Sequence, residues 1–311
     1  YEKGRNYQSK KERTMMEDVL VIGANTSKYI GGCEDKVLEI YKNPTKNKLI
    51  RLLRKLGLIL GGVFANIWLA DWFDKRKEYN TIILFDTGNQ QYIIKILKKR
   101  WPTARLILWY WNPMSKTASL DGIDRESVEV WSYHKEDCER YNLKFNTQFF
   151  IPQPINDGKA LYDIYFVGAD KNRKSILLEM KNVFEEQHLS YKFVLTKTKD
   201  SIENEIQYSQ PISPKENMKN MVASKCIVDI VSKSEFTGFT LRPFEAMNYK
   251  KKLITNNPYI KESEFYCANN IFIWGEDDQK KIKDFIDSPF IAIDHELSIY
   301  SFENWLSRFF K

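Results

Sequence analysis

The sequence predicts an α/β protein built from two doubly wound parallel sheets, and three observations carry that prediction. Short apolar runs of strand length alternate with longer segments whose apolar residues recur every three or four positions. The alternation halts at Pro152-Gln153-Pro154 and Asn156-Asp157-Gly158, where prolines stiffen the chain and glycine supplies a bend, and then starts afresh. The chain of 311 residues is long for one core and sufficient for two, and its 43% apolar and 14% aromatic content can fill both.

In the first half, residues 18–23 (DVLVIG) read as the opening strand. Gly31-Gly32-Cys33-Glu34 then form a loop where the backbone can approach a ligand closely, before a helical pattern with Val37, Leu38 and Tyr41 inward. Residues 48–79 are the longest helical stretch. Its apolar run, 56–70, is too short to span a bilayer. Gly57, Gly61, Gly62 and Ala65 favour a closely packed core helix; the alternative is an interfacial helix whose Lys48, Arg51, Arg54 and Lys55 touch lipid head groups. Residues 81–86 are a strand, 90–100 a helix stopped before Pro102, and 105–110 a strand broken by Asn112-Pro113. Residues 128–131 form the next strand, Ser132 caps a helix over 134–141, and 148–151 form the last strand. Ligands gather beyond strand C-termini in such sheets, which collects 25–34, 86–89 and 111–113 on one rim.

The second half repeats the logic. Strands are expected over 163–168, 191–196, 226–231 and 271–274, and helices over 175–187, 214–223, 278–287 and 302–310. Residues 170–174 form a charged loop, and Met218, Met221 and Val222 face inward. The implied organisation is a charged leader over 1–16, one domain over 17–154, a second over 155–300, and a closing helix over 301–311. There is no internal repeat.

The net charge of +7 is uneven. Residues 1–154 carry 26 Lys and Arg against 18 Asp and Glu, whereas 155–311 carry 22 against 23. A basic first half points to an anionic partner, either nucleic acid or an anionic membrane leaflet, or else to a Lys-rich composition without function. Four scattered cysteines and the absence of a leading apolar segment suggest a reducing cytoplasm. With three histidines, none at ligand spacing, no metal site is expected. No G-x-G-x-x-G, P-loop or G-x-S-x-G motif is present, which excludes dinucleotide dehydrogenases, P-loop NTPases and elbow hydrolases.

Residues 237–256 (TGFTLRPFEAMNYKKKLITN) organise the second half. Thr240 can cap a helix, Pro243 fits its first turn, and Lys250, Lys251 and Lys252 can offset the dipole where it ends. Leu253, Ile254 and Thr255 follow as a short buried strand. A glycine-containing loop opening onto a helix N-terminus binds anions, and Glu245 one turn inside can accept bonds from hydroxyls beside the anion. An ordinary loop–helix–strand crossover would read the same way.

Here the chain resembles the GT-B glycosyltransferases, closest to the large retaining group whose signature reads E-G-F-G-L-x-x-x-E-A-M and then G-x-P-V-I. Gly238-Phe239, Leu241 and Glu245-Ala246-Met247 match in register, and Leu253-Ile254-Thr255-Asn256 fit the strand. Residues 31–40, 132–141, 151–156, 166–174 and 274–277 resemble further landmarks in family order, so that the likeness covers roughly 17–311. It implies two Rossmann-like domains facing across a cleft, with Glu245 on the nucleotide ribose and Thr237, Gly238, Phe239, Thr240 and Leu241 near the donor's sugar and phosphates. A diphosphate would lie near Gly168, held by Lys174 with Arg173 or Lys171, because the family's arginine position is Ala169. A solvated loop is the plain alternative for 170–174. The signature's first glutamate is Thr237 here, and Glu235 is out of register. His134 reads as a capping or surface residue. Asp86 is the candidate base for an acceptor hydroxyl, or else a structural aspartate that turns the chain. Gly31, Gly32 and Asn112 belong to the acceptor or interdomain loops.

The resemblance implies a metal-independent hexosyltransferase that moves a sugar from a UDP- or GDP-sugar to a hydroxyl of a glycan or glycolipid. It would need no cofactor beyond the nucleotide-sugar donor, and would work in the cytoplasm in surface polysaccharide or lipopolysaccharide synthesis. Peripheral contact with an anionic inner membrane face would suit the charge asymmetry, and no nucleic acid is expected. A catalytically silent nucleotide-sugar-binding subunit is the alternative that Thr237 and Ala169 allow.

Overall fold

The computed structural model describes residues 18–26, 30, 32–42, 47–60, 65–74, 78–114, 119–152, 159–199, 201, 206–232 and 237–311. Two compact units emerge, one running to Thr147 and including Leu306–Lys311, the other spanning Gln148–Trp305.

The first unit holds a six-stranded sheet: β1 (Val19–Gly23), β2 (Leu38–Glu39), β3 (Thr81–Phe85), β4 (Arg105–Tyr110), β5 (Glu129–Ser132) and β6 (Lys144–Phe145), in the order β2-β1-β3-β4-β5-β6. Every pairing in it is parallel. Central β3 is buried along its whole length, as a strand covered on both faces must be. Helix Gln90–Arg100 buries Ile93, Ile94, Ile96 and Leu97. Gly23 ends β1 where a Cβ would lie 2.4 Å from Thr26 Cγ2, so no larger residue fits without rearrangement. Arg105 on β4 grips Glu129 on β5 through two bonds of 2.6 and 2.8 Å, and its Nη1 donates to the Phe309 carbonyl at 2.6 Å. Phe309 packs edge-on against Trp109 and Trp131.

The second unit holds β7 (Tyr162–Ala169), β8 (Tyr191–Thr196), β9 (Ser224–Asp229), β10 (Lys252–Thr255) and β11 (Ile271–Ile273), all parallel, in the order β11-β10-β9-β7-β8. Its strands feed two separate cores by strict alternation. Tyr165, Ile227, Leu253 and Ile271 enter one, while Ile164, Phe166, Cys226, Val228, Ile254 and Phe272 enter the other. Each fully buried aliphatic or aromatic side chain contributes about 2 kcal/mol of transfer free energy.

Several expectations need correction. The helical pattern after the Gly-Gly loop is a turn and the two-residue strand β2, because Leu38 and Glu39 pair with Ile22 and Gly23. The long helical stretch is broken into Lys48–Ile59, Ala65–Trp68 and Asp71–Asp74. The first of these is not a core helix. Leu58 is its one buried residue, and Leu49, Leu52, Leu53, Leu56, Ile59 and Leu60 along it are exposed. Asn47 caps that helix by accepting from the amides of Leu49 and Ile50. Ser132 ends β5 rather than capping a helix; its hydroxyl accepts from the His134 amide, and His134 takes the N-cap position of helix Lys135–Tyr141. The strand expected at 148–151 is a single bridge from Phe150 to Ser301, and β6 takes the sheet edge instead. Helix Phe302–Arg308 closes the chain, with the division between the two units falling inside it, between Trp305 and Leu306. The hinge residues 153–158 and the leader lie outside the described residues.

Candidate functional site

In the second unit the chain runs from β7 to β8 on one side and returns to β9 on the other. The strand order therefore reverses between β7 and β9, and at such a switch point the loops leaving the two strands part in opposite directions and open a crevice. Gly168-Ala169-Asp170 leave β7 there and lead to helix Lys174–Glu186; Asp229 ends β9 and leads to helix Leu241–Asn248. Two helix N-termini thus follow the C-terminal ends that flank the crevice.

Thr240 caps helix Leu241–Asn248 as its sequence promised. Its hydroxyl accepts from the Arg242 amide at 3.2 Å and donates to Asp229 Oδ1 at 3.0 Å, which ties the cap to the end of β9. With that amide occupied and Pro243 lacking one, fewer helix amides remain for an anion than the motif suggested. Gly238 is buried, and its carbonyl accepts from Asn257 Nδ2 at 3.1 Å. Asn256 exchanges two 2.9 Å bonds with the backbone of Val231. The turn after β10 therefore braces the loop that holds Thr237 and Gly238. The Phe239 ring packs against Phe244 and Phe265, so its contribution is to anchor the loop in the core. Leu241 opens the helix, half-buried.

Glu245 lies one turn inside, where Arg242 Nη1 reaches its Oε2 at 2.6 Å. Burial raises its pKa; Arg242 opposes this and Asp229 adds to it. The same burial, with Glu245 nearby, pushes the Tyr249 hydroxyl up to about 12. Two of the three lysines after this helix have other partners. Lys251 Nζ donates to the Val222 carbonyl at 2.7 Å, and Lys252 begins β10 with its ammonium donating to Ser288 Oγ and to the Asn269 and Pro289 carbonyls.

On the β7 side, Gly168 lies where a Cβ would press Phe166 at 3.0 Å and the Arg173 guanidinium at 3.3 Å. Lys171 is exposed, with Lys171 and Asn172 both at positive φ. Arg173 turns back to donate to the Ala169 carbonyl at 3.2 Å. Lys174 is buried, with Nζ 4.2 Å from the centroid of the Tyr208 ring. Asp170 would be raised by burial, but bonds from Ser201 and Tyr208, both 2.7 Å, together with the Lys174 amide and charge, hold it below the usual range. Segment 170–174 is therefore an ordered turn, not merely a solvated loop.

In the first unit the order reverses between β1 and β3, which places Asn25 and Asp86 beyond that switch point. Asn25, at positive φ, donates its amide to Glu39 at 2.7 Å. Asp86 Oδ1 accepts from the Trp111 amide at 3.0 Å. Burial pushes Asp86 up to about 7 against the pull of that amide and of the exposed Asn112 side chain. Loop 111–114 is pinned at its other end by Asp137, which accepts from the Met114 amide at 2.7 Å. His134 is not a surface residue: it is buried, with Nδ1 3.2 Å from Asp137 Oδ2. Gly32 sits at φ 71°, and Gly31 lies outside the described residues. Among the described residues no group of three or more His, Cys, Asp or Glu could hold a metal ion, and no helix is long and apolar enough to cross a membrane.

Sequence reasoning missed Asp229, Arg242, Asn257, Asp170 and Tyr208. A carboxylate in the apolar run CIVDIV and an Arg three residues before Glu245 were visible signals for the first two; Tyr208 had none.

Two all-parallel α/β units are the make-up of the GT-B fold, and the likeness to one solved structure agrees with that fold. The chain is similar to AviGT4, a glycosyltransferase involved in avilamycin A biosynthesis, at 9% identity over 94% of this chain and 95% of that one, with a TM-score of 0.52. Weaker likenesses include the DNA-modifying β-glucosyltransferase studied with and without uridine diphosphoglucose (14% identity, 86% and 88% covered, TM-score 0.43). Another is sucrose-phosphate synthase from Thermosynechococcus elongatus (14%, 88% and 76%, TM-score 0.44). No protein-family model and no curated protein matches the sequence.

Proposed function

We propose that this protein is a glycosyltransferase that moves a sugar from a nucleoside-diphosphate donor, a UDP- or GDP-sugar, to a hydroxyl of a glycan or glycolipid. The observation that carries the reading is the crevice between β7 and β9, bordered by a Thr240-capped helix with Glu245 one turn inside and by Lys174 at the start of the neighbouring helix. Glu245, steadied by Arg242, grips the ribose hydroxyls. Lys174 and Arg173 meet the diphosphate and the negative charge that grows on it as the sugar leaves, a task fixed cations perform without a metal. Asp86, with a pKa near 7, takes the acceptor's proton.

A second reading, a nucleotide-sugar binder without turnover, is favoured by Thr237 standing where the related signature has a glutamate. The deciding experiment is a panel of UDP- and GDP-sugars assayed for release of the nucleotide with and without simple glycoside acceptors. Nucleotide release from one donor supports the transferase. Binding of a donor with no release under any condition supports the binder, and binding of none rejects both.

A further inference from the structure

Helix Lys48–Ile59 carries an exposed apolar stripe that no other described residue of its unit buries. Leu49, Leu52, Leu53, Leu56, Ile59 and Leu60 recur at helical spacing along one side, and the outermost, Leu49 and Leu60, are 63% and 68% exposed. The opposite side faces the protein: Leu58 is buried in the first unit's core, and the Arg54 guanidinium stacks 3.7 Å over the Tyr41 ring. Ile67 on the following helix is also exposed. A run of large aliphatic side chains of this length is unusual on a surface that meets only water.

The charges beside the stripe identify its occupant. Between residues 48 and 60 there are four cations, Lys48, Arg51, Arg54 and Lys55, and no carboxylate. Lys48 and Lys55 are exposed at one edge of the stripe. Two copies meeting through this face would bring cation against cation with no acid on either helix to compensate, which disfavours a dimer. A surface that is apolar below and anionic above satisfies both features at once. We propose that helix Lys48–Ile59 is a docking face for an anionic phospholipid bilayer, its leucines entering the head-group boundary and its lysines lying against the phosphates. The proposal stands on the first unit's surface alone and does not depend on the donor-site reading.

The test is flotation of the purified full chain with vesicles of phosphatidylcholine alone and of equal parts phosphatidylcholine and phosphatidylglycerol, at low and high salt. The protein is expected to float with the mixed vesicles, less so as salt rises, and not with the neutral ones. Leu53→Ser/Leu56→Ser should abolish flotation while leaving the melting temperature unchanged, since both side chains are exposed. Lys48→Gln/Lys55→Gln should weaken binding by about fivefold per cation removed. Equal flotation with both vesicle types, or retention in the leucine variant, overturns the proposal. So does a wild-type dimer that ignores vesicles and that Leu53→Ser/Leu56→Ser converts to monomer, which would assign the stripe to a second copy.

Discussion

Arg242 and Glu245 form a 2.6 Å ion pair one helical turn apart, so the carboxylate proposed for the ribose already has a cation partner. Both side chains are about one-fifth exposed, and burial disfavours a lone charge there. Arg242 therefore opposes the upward pull of burial on Glu245 and aims one of its oxygens, leaving ribose recognition to the geometry of the pair. Arg242→Gln should destabilise the protein by about 2 kcal/mol, and Arg242→Gln/Glu245→Gln should recover most of that loss. Denaturant titrations of the two variants measure it, and additive costs would mean the pair is not coupled.

Asp86 makes pH a probe of the first unit. Its folded pKa of about 7 exceeds its ordinary 3.8, so between these values the folded protein holds a proton that the unfolded chain has released. Stability therefore falls as pH rises across that window, and less of it remains above 7. Asp86→Asn keeps an oxygen for the Trp111 amide but removes the titration. It should flatten this slope and, above pH 7, exceed the wild type by about 2 kcal/mol in unfolding experiments. If Asp86 also deprotonates the acceptor, kcat/KM should rise through a pKa near 7 and the variant should lose that limb together with most of its turnover.

Glu129 has the opposite sign. Two bonds from Arg105, with help from Lys144 and Trp131, outweigh its burial and hold it at about 2 instead of 4.5. Its contribution is complete above pH 4.5 and disappears as pH falls toward 2. Because the pair is about one-third exposed, Glu129→Gln should cost only about 1–2 kcal/mol at pH 7 and almost nothing at pH 2, measured by urea unfolding.

Lys174 separates phosphate recognition from ribose recognition. Lys174→Met should weaken a nucleoside diphosphate by about 2 kcal/mol, roughly 30-fold, and leave the free nucleoside unaffected. Exposed Lys171→Met should change the diphosphate affinity far less. Equal losses for nucleoside and nucleoside diphosphate would place Lys174 in the core rather than at a phosphate.

Much of this architecture could be read before any coordinates. Strands Arg105–Tyr110 and Tyr191–Thr196 and helix Gln90–Arg100 lie where the apolar pattern put them, because buried parallel strands need unbroken apolar runs and a proline or turn to end them. Thr240 was legible as a cap for the same local reason. Long-range partners were not. Residues 148–151 look like a strand but form a single bridge, from Phe150 to Ser301, and Lys252 looks like a helix-end cation but finds three oxygens from distant turns. The leucines of helix Lys48–Ile59 show amphipathicity, yet periodicity alone does not say whether an apolar face meets a core or leaves it bare. In the site, the positions of Thr240 and Glu245 came from local spacing, whereas Asn257 and Asp229 depend on which loops the sheet order brings together.

The most direct measurement is calorimetric titration of UDP and GDP into the wild type and Glu245→Gln. One nucleotide should bind the wild type, and its affinity should fall at least about tenfold in the variant, the cost of about one charge-assisted bond. Binding of neither nucleotide to the wild type, or equal affinity in both proteins, would contradict a ribose held by Glu245.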